Sequence, residues 1–138
     1  MSFPYCISIN SSYIYEQSTD ERINQNDAAI TLAHELGHYL GLRHVFSEGG
    51  TTSMCTDTDY CKDTPSYNRS EYEQWLNNLD KQNKYQLKDL AKRYSCEKGE
   101  YEAHNIMDYA YCFYNEITLE QRKRIRHILN YSPLIPGP

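Results

Sequence analysis

Three histidines and one glutamate stand at regular spacing in residues 34–44, which read HELGHYLGLRH. On a helix, residues four apart share a face, so His34 and His38 can direct imidazole nitrogens at one ion. Glu35 is the next residue round the helix from His34, so its carboxylate can approach the ion without being forced to bind it. Gly41 permits the left-handed backbone that ends a helix, so the chain can turn and bring back His44. The spacing therefore predicts a three-histidine metal site with a glutamate beside it.

The chemistry that such a site performs is hydrolysis. Three neutral histidines with one open position are typical of a catalytic zinc, whereas a structural zinc is normally closed by four protein ligands. Zinc lowers the pKa of its bound water to about 7, and Glu35 can take the proton during attack on a carbonyl and pass it to the leaving amine. The predicted reaction is peptide hydrolysis. The alternative for H-E-x-x-H alone is a solvated helix face, which the added glycine and third histidine disfavour.

The extended pattern H-E-x-x-H-x-x-G-x-x-H resembles the zinc-binding signature of the metzincin metallopeptidases. Residues 105–109, NIMDY, resemble the Met-turn of those enzymes. Within the metzincins, Phe46, the DTP segment at residues 63–65 and the ITLEQR segment at residues 117–122 resemble the pappalysin (ulilysin-like) group. The resemblance runs from about residue 31 onward, with an unmatched middle segment.

This resemblance implies an α+β fold, a metzincin-like catalytic domain over residues 1–138. Residues 1–41 would be a remnant of the upper subdomain, with an edge hairpin and the zinc helix. Residues 42–138 would form the mostly helical lower subdomain, with the Met-turn and a C-terminal helix. The upper sheet is expected to be largely truncated or reduced, because only about thirty residues precede the zinc helix. The chain is then either a fragment of a longer polypeptide or a reduced form of the fold.

The resemblance also implies roles for two residues of the presumed Met-turn. Met107 would form the packed floor of the site, since its thioether is too weak a ligand to compete for zinc. Tyr109 would stabilise the oxyanion that forms at the scissile carbonyl. A packing role is the alternative for Tyr109. His104, just before the turn, is interpreted as a structural histidine rather than a fourth ligand.

A second metal is suggested by three aspartates within seven residues, Asp57, Asp59 and Asp63, with two threonines nearby. Hard oxygen ligands at short spacing suit calcium. The resemblance to the pappalysin group makes Asp59 and Thr64 the candidate ligands. The spacing is not that of an EF-hand loop, and solvated, turn-forming aspartates are the alternative.

Five cysteines are many for a chain of this size: Cys6, Cys55, Cys61, Cys96 and Cys112. No C-x-x-C pair indicates a second zinc or a redox site, so disulfides and an oxidising compartment are predicted. Sequence alone permits three pairings of the last four cysteines. The resemblance favours Cys55–Cys96 and Cys61–Cys112. Cys6 would then be a free thiol, or its partner would lie in a missing N-terminal part.

Periodicity predicts the elements that position the site. From Asp27 onward apolar residues recur at three and four, which predicts a helix capped by Asn26 or Asp27. The residues predicted to face its core are Ile30, Ala33, Leu36, Gly37 and Leu40. Earlier, residues 5–9 and 13–15 alternate like the strands of a hairpin. By the resemblance, residues 5–9 would be an edge strand that aligns substrate, and an ordinary hairpin is the alternative.

The second half of the chain is predicted to be mainly helical. Residues 70–94 show the spacing of one or two amphipathic helices, and residues 96–103 are predicted to be a loop. Thr118 and Gln121 form a capping box that opens a helix to about Asn130. Its basic residues, Arg122, Lys123, Arg124 and Arg126, are interpreted as a solvated face.

Composition excludes some classes of protein. The chain has 138 residues, 24% of them charged, and a net charge of −5, so it is one domain by length and lacks the basic patch of a nucleic-acid-binding protein. No apolar run approaches the ~20 residues of a membrane span. The predicted partner is a peptide or protein substrate, and the predicted location is extracytoplasmic, with no leader in this chain.

The sequence therefore predicts a zinc metalloendopeptidase with one catalytic Zn2+ and a candidate Ca2+. A catalytically inert, zinc-stabilised binding module and a zinc amidohydrolase are the alternatives. The intact Glu35 disfavours the inert module, because a structural zinc has no need of a glutamate there. The short N-terminal part favours it.

Overall fold

The structure is a computed structural model. It describes residues 7, 28–47, 55–80, 87–95, 97–109 and 111–133. Within these residues the architecture is α+β, with four helices and one two-stranded antiparallel sheet. The elements are α1 (Ala28–Tyr39), α2 (Arg69–Asp80), α3 (Leu87–Leu90), β1 (Lys92–Ser95), β2 (Gly99–Glu102) and α4 (Leu119–Tyr131). Among the described helices, none has the length and apolar character that crossing a bilayer requires.

Helix α1 ends where the glycine spacing predicts. Gly41 has a φ of 84°, its N–H donates to the His38 carbonyl at 2.9 Å, and the Leu42 N–H donates to the Gly37 carbonyl at 2.9 Å. This pair of bonds is a Schellman motif, which reverses the chain direction after a helix. The Gly41 carbonyl in turn accepts a 2.5 Å bond from Arg124 Nε of α4. The interpretation of Arg124 as purely solvated is therefore wrong.

The buried face of α1 lacks one of the residues that were predicted to lie on it. His34 and Gly37 are buried, whereas Leu36, predicted to face the core, is 43% exposed. Successive helical residues are separated by about 100°, so a stripe centred on His34 and Gly37 turns Leu36 away. The predicted caps, Asn26 and Asp27, lie outside the described residues.

Helix α2 begins at a polar cap and packs one side against the core. The Asn68 side chain accepts a 3.1 Å bond from the Glu71 N–H, which satisfies one of the free donors in the first turn. Tyr72 is buried and Leu76 packs against the same core. The helix predicted for this segment is therefore confirmed as far as Asp80.

The helical prediction for the end of the middle segment is wrong. After the short helix α3, residues 92–95 form strand β1, and part of the segment predicted to be a loop forms strand β2. The strands pair antiparallel, with Arg93 opposite Tyr101 and Tyr94 opposite Glu100. Arg93 is buried and Tyr94 is 69% exposed, the reverse of what polarity alone predicts. Arg93 contacts a group from a distant part of the chain, and that contact determines which face of the strand is buried.

Helix α4 confirms its predicted capping box. The Thr118 side chain accepts from the Gln121 N–H at 3.3 Å, and the Gln121 side chain accepts from the Thr118 N–H at 3.0 Å. The helix runs to Tyr131. Ile125 packs against the core, which fixes α4 beside the end of α1.

One apolar cluster lies at the junction of these elements. Its buried members are Leu42, Val45, Phe46, Tyr67, Tyr72 and Met107. The chain segment after α1, helix α2 and the turn at residues 105–108 all contribute to it. The predicted N-terminal hairpin lies outside the described residues apart from Ile7, so the hairpin and the division at residue 41 stay predictions.

Candidate metal centre

The three histidines of the motif converge on one point. Helix α1 carries His34 and His38 one turn apart, and the Schellman turn returns His44 to them. The Nε2 atoms are 3.1 Å apart for His34 and His38, 3.2 Å for His34 and His44, and 3.0 Å for His38 and His44. Within the described residues this is the one group of three or more histidine, cysteine or acidic side chains whose atoms lie close enough together to hold a metal ion.

Hydrogen bonds on the far side of two rings fix their tautomers. His34 Nδ1 donates to the Ile106 carbonyl at 2.7 Å, and His38 Nδ1 donates to the Leu42 carbonyl at 3.0 Å. A carbonyl only accepts, so Nδ1 carries the proton in both rings and Nε2 carries the lone pair. Such outer contacts orient metal-binding imidazoles in general.

The donor set fits a divalent metal ion. The lone pairs of His34 and His38 face each other at 3.1 Å, an arrangement that is repulsive unless a cation lies between them. Zn–N bonds of about 2.0–2.1 Å in tetrahedral geometry separate ligand nitrogens by about 3.3 Å. The observed separations are close to that value, so the site needs little adjustment to accept zinc.

The electrostatics of the site favour a neutral His34. Burial lowers the pKa of His34, and the nearby His38 acts in the same direction, while the bond to the Ile106 carbonyl and the charge of Glu35 oppose it. His34 is therefore neutral at physiological pH. Glu35 is half-buried on α1 and close enough to act on His34 by charge, but it does not belong to the converging group of atoms.

Aromatic rings line one side of the cluster. The Tyr109 ring lies 4.4 Å from the His44 ring and is stacked 5.4 Å from the His34 ring, centroid to centroid. Phe46 stacks on His44 at 4.7 Å. Tyr109 is 41% exposed, so its ring lies between the histidines and solvent.

Met107 packs against the helix that carries His34 and His38, and its role as the floor of the site stays a prediction. Met107 is fully buried, and its carbonyl accepts from the Val45 N–H at 3.3 Å. Its sulfur packs so closely on the backbone of Gly37 that a side chain there would overlap it. The absence of a side chain at Gly37 therefore lets α1 rest directly on Met107.

The sequence did not predict which residue connects the turn at residues 105–108 to α4. Gln121 is fully buried; its Nε2 donates to Asn105 Oδ1 at 3.1 Å, and its Oε1 accepts from Asn105 Nδ2 at 2.8 Å. The Met107 N–H donates to the same Asn105 Oδ1 at 3.0 Å. The capping box identified Gln121 as a cap, but no local signal indicated that it also bonds the turn under the site.

The candidate calcium ligands contact each other. The Thr64 hydroxyl donates to Asp59 Oδ2 at 2.6 Å, and Asp59 Oδ1 accepts from the Cys61 N–H at 2.9 Å. Burial raises the pKa of Asp59 to about 6, with the Thr64 and Cys61 bonds opposing and Asp57 adding to the rise. Both side chains are buried. The calcium assignment stays a prediction.

The predicted disulfide between Cys61 and Cys112 is wrong. Both are buried free thiols, and they contact different groups: Cys61 Sγ lies 3.7 Å from the Asp59 carbonyl, and Cys112 Sγ lies 3.4 Å from the Asn105 carbonyl. Cys55 is disulfide-bonded. The partner predicted for it, Cys96, lies outside the described residues, so the Cys55–Cys96 pairing stays a prediction.

Comparison with known proteins agrees with this geometry. The model of peptidase family M43, described as pregnancy-associated plasma protein-A, matches residues 5–130. Proteins named extracellular metalloprotease from Arthroderma benhamiae, Trichophyton verrucosum and Arthroderma otae are each 37% identical over 108 residues, which cover 76% of this chain.

The aligned region covers 32% of the first two relatives and 33% of the third, so the chain spans about a third of the length of the curated relatives that it matches. No solved structure gives a significant match. The family match covers most of the chain and includes all three histidines. The chain therefore belongs to the pappalysin family of metzincin-type metallopeptidases.

Proposed function

We propose that this protein is a zinc-dependent endopeptidase. The observation that carries the proposal is the convergence of three Nε2 atoms, two of them with lone pairs that face each other. His34, His38 and His44 would hold the ion. Zinc bound there supplies Lewis-acid activation of water and of the scissile carbonyl. The substrate would be a peptide or a protein.

The other roles belong to residues around the histidines. Glu35, half-buried beside His34, would accept the proton of the attacking water and deliver it to the leaving amine. Tyr109, whose ring lies against His34 and His44 with an exposed edge, would donate its phenolic hydrogen to the developing oxyanion. Met107 would keep the floor apolar and rigid. Residues 1–138 are proposed to be one catalytic domain, divided at residue 41 as the family resemblance implies.

Two further proposals concern the protein's surroundings. An extracytoplasmic location is supported by the disulfide at Cys55 and by the relatives named extracellular metalloproteases. Calcium binding at Asp59 and Thr64 is proposed from the family alone, and their mutual hydrogen bond would have to break for both oxygens to bind the ion. Calcium at millimolar concentration would then raise the midpoint of thermal unfolding, magnesium would not, and Asp59→Asn would abolish the effect. An equal response to both ions, or one that survives the substitution, would sink the calcium site.

The test of the proposed function combines zinc content with hydrolysis of a quenched peptide library and of a set of small amides. The variants are Glu35→Gln and, as a matched control, Glu97→Gln, which makes the same chemical change at an exposed position of the turn between the strands. We expect one zinc per chain in all three proteins. Peptide cleavage should fall at least about 100-fold in Glu35→Gln and should be unchanged in Glu97→Gln.

Each other outcome favours a named alternative. Zinc with no cleavage by the unsubstituted protein would indicate an inert binding module. Cleavage of small amides alone would indicate an amidohydrolase. Equal peptide cleavage by the protein and by Glu35→Gln would refute the role of Glu35.

A further inference from the structure

A buried ion pair lies behind the exposed Tyr109. Arg93 Nε is 3.4 Å from Asp108 Oδ2, and the two side chains are 0% and 1% exposed. Tyr67 donates its phenolic hydrogen to Asp108 Oδ1 at 2.5 Å. Burial raises the pKa of Tyr67 well above its usual value, so Tyr67 remains a neutral donor. Burial alone lowers the pKa of Arg93, but Asp108 and the neighbouring phenols outweigh it and the pKa is raised. Arg93 is therefore charged.

The directional bonds of this pair go to the backbone around Tyr109. Arg93 Nη2 donates to the Tyr109 carbonyl at 3.2 Å and to the Tyr111 carbonyl at 3.1 Å. Asp108 Oδ1 accepts from the Tyr109 N–H at 2.7 Å. Arg93 Nε makes no hydrogen bond, so Arg93 and Asp108 lack the bidentate geometry that arginine and carboxylate favour. Instead, Arg93 bonds the backbone carbonyl of Tyr109, and Asp108 bonds its backbone N–H.

The other side of Arg93 is fixed to the scaffold. Its guanidinium carbon lies 3.7 Å from the Tyr72 ring centroid, and Nη1 donates to the Leu90 carbonyl at 2.8 Å. A planar guanidinium can stack and donate in several directions at once, which a lysine cannot do. Arg93 thus connects α2, the end of α3 and the backbone of Tyr109.

We propose that Arg93 and Asp108 are positioning residues, which hold the Tyr109 backbone so that its phenol stays over the histidine cluster. The proposal rests on the proposed function for the role of Tyr109. The ring depends on this hold because it is 41% exposed. Its ring neighbours are His34, His44 and Phe46, and the guanidinium of Arg69 lies 5.0 Å from its centroid. Small misplacements of a catalytic group can cost about 100-fold in rate.

The first test needs no activity. Amide hydrogen exchange is measured at a fixed free-zinc concentration on the unsubstituted protein, on Arg93→Lys, and on Arg126→Lys as a control that makes the same change at an exposed position of α4. Lysine keeps the charge, but its ammonium group cannot stack on Tyr72 and donate to the Tyr109, Tyr111 and Leu90 carbonyls at once. We expect the Tyr109 amide to exchange about tenfold faster in Arg93→Lys, with unchanged exchange in α4. Unchanged exchange at Tyr109, or an equal rise throughout the chain, would overturn the proposal.

A milder variant guards against a failure of Arg93→Lys to fold. Tyr67→Phe keeps the ring in the core and removes only the hydroxyl that bonds Asp108. It should raise exchange of the Tyr109 amide in the same direction by a smaller factor. No rise in this folded variant would overturn the part of the proposal that assigns Asp108 a hold on Tyr109.

The second test is a double-mutant cycle in kcat with Arg93→Lys and Tyr109→Phe. If Arg93 acts through Tyr109, Arg93→Lys lowers kcat about tenfold with little change in KM, and it has almost no further effect once the phenol is gone. Two losses that multiply would show that Arg93 acts independently and would overturn the proposal. Zinc binding without cleavage by the unsubstituted protein would refute the proposed function instead, and the exchange experiment would still decide the positioning role.

Discussion

Replacing Gly41 by alanine should destabilise the protein through two separable effects. The first is backbone strain, because Gly41 has a φ of 84° and a residue with a Cβ costs about 1–2 kcal/mol in that region. The second is overpacking. A Cβ at Gly41 would lie 2.8 Å from Ile128 Cγ1, about 1 Å closer than carbon atoms normally pack.

The chain offers a control that isolates the first effect. Gly99 has a φ of 77°, but a Cβ built there would meet no heavy atom within 4 Å. Gly99→Ala therefore carries the strain alone, about 1 kcal/mol after the smaller entropy of the unfolded alanine chain is subtracted. Gly41→Ala should cost about 1–3 kcal/mol more, because the β-branched Ile128 has a stiff side chain and cannot easily move aside.

The assay is urea unfolding followed by circular dichroism at a fixed free-zinc concentration, since zinc binding stabilises the folded state. A third arm places Gly41→Ala in an Ile128→Ala background, where the obstructing carbon is absent. There the cost of Gly41→Ala should fall to that of Gly99→Ala. Equal costs for Gly41→Ala and Gly99→Ala in the unaltered background would refute the packing argument and leave only backbone strain.

Three further predictions concern buried positions of the fold. Gly37→Ala should lower both stability and zinc affinity, since overlap with Met107 outweighs the gain of about 1 kcal/mol in helix propensity; higher stability by urea unfolding would contradict this. Gln121→Ala should cost about 3 kcal/mol, because a fully buried side chain loses its bonds to the turn under the site and to the helix cap; a loss below 1 kcal/mol would mean that water replaces those bonds. Burial raises the pKa of Cys61 to about 11 and that of Cys112 to about 12, so native alkylation should be slow and should speed up about tenfold per pH unit from pH 8 to 10. Mass spectrometry of labelled peptides measures this, and a rate that levels off near pH 9 would show ordinary exposed thiols.

The sequence determined the chemistry of the site because the relevant spacing is local. His34 and His38 are four residues apart on one helix, and Gly41 allows the turn that returns His44, so eleven consecutive residues contain the whole candidate ligand set. The capping box at Thr118 is equally local and was predicted correctly. These features depend on helical periodicity and on the backbone freedom of glycine, and neither requires knowledge of distant parts of the chain.

Tertiary structure alone decided which polar residues are buried. Arg93 was placed on an amphipathic helix by its neighbours' periodicity, yet it lies in a strand, fully buried beside Asp108, fifteen residues further along the chain. Gln121 pairs with Asn105, although the sequence indicated only its role as a helix cap. Arg124 bonds the Gly41 carbonyl, although the sequence assigned it to a solvated face. A buried polar group is stable only with its partners, and partners that are distant in sequence leave no periodic signal. The histidines could be predicted from the sequence, but the contacts that hold the turn beneath them became visible only in the folded chain.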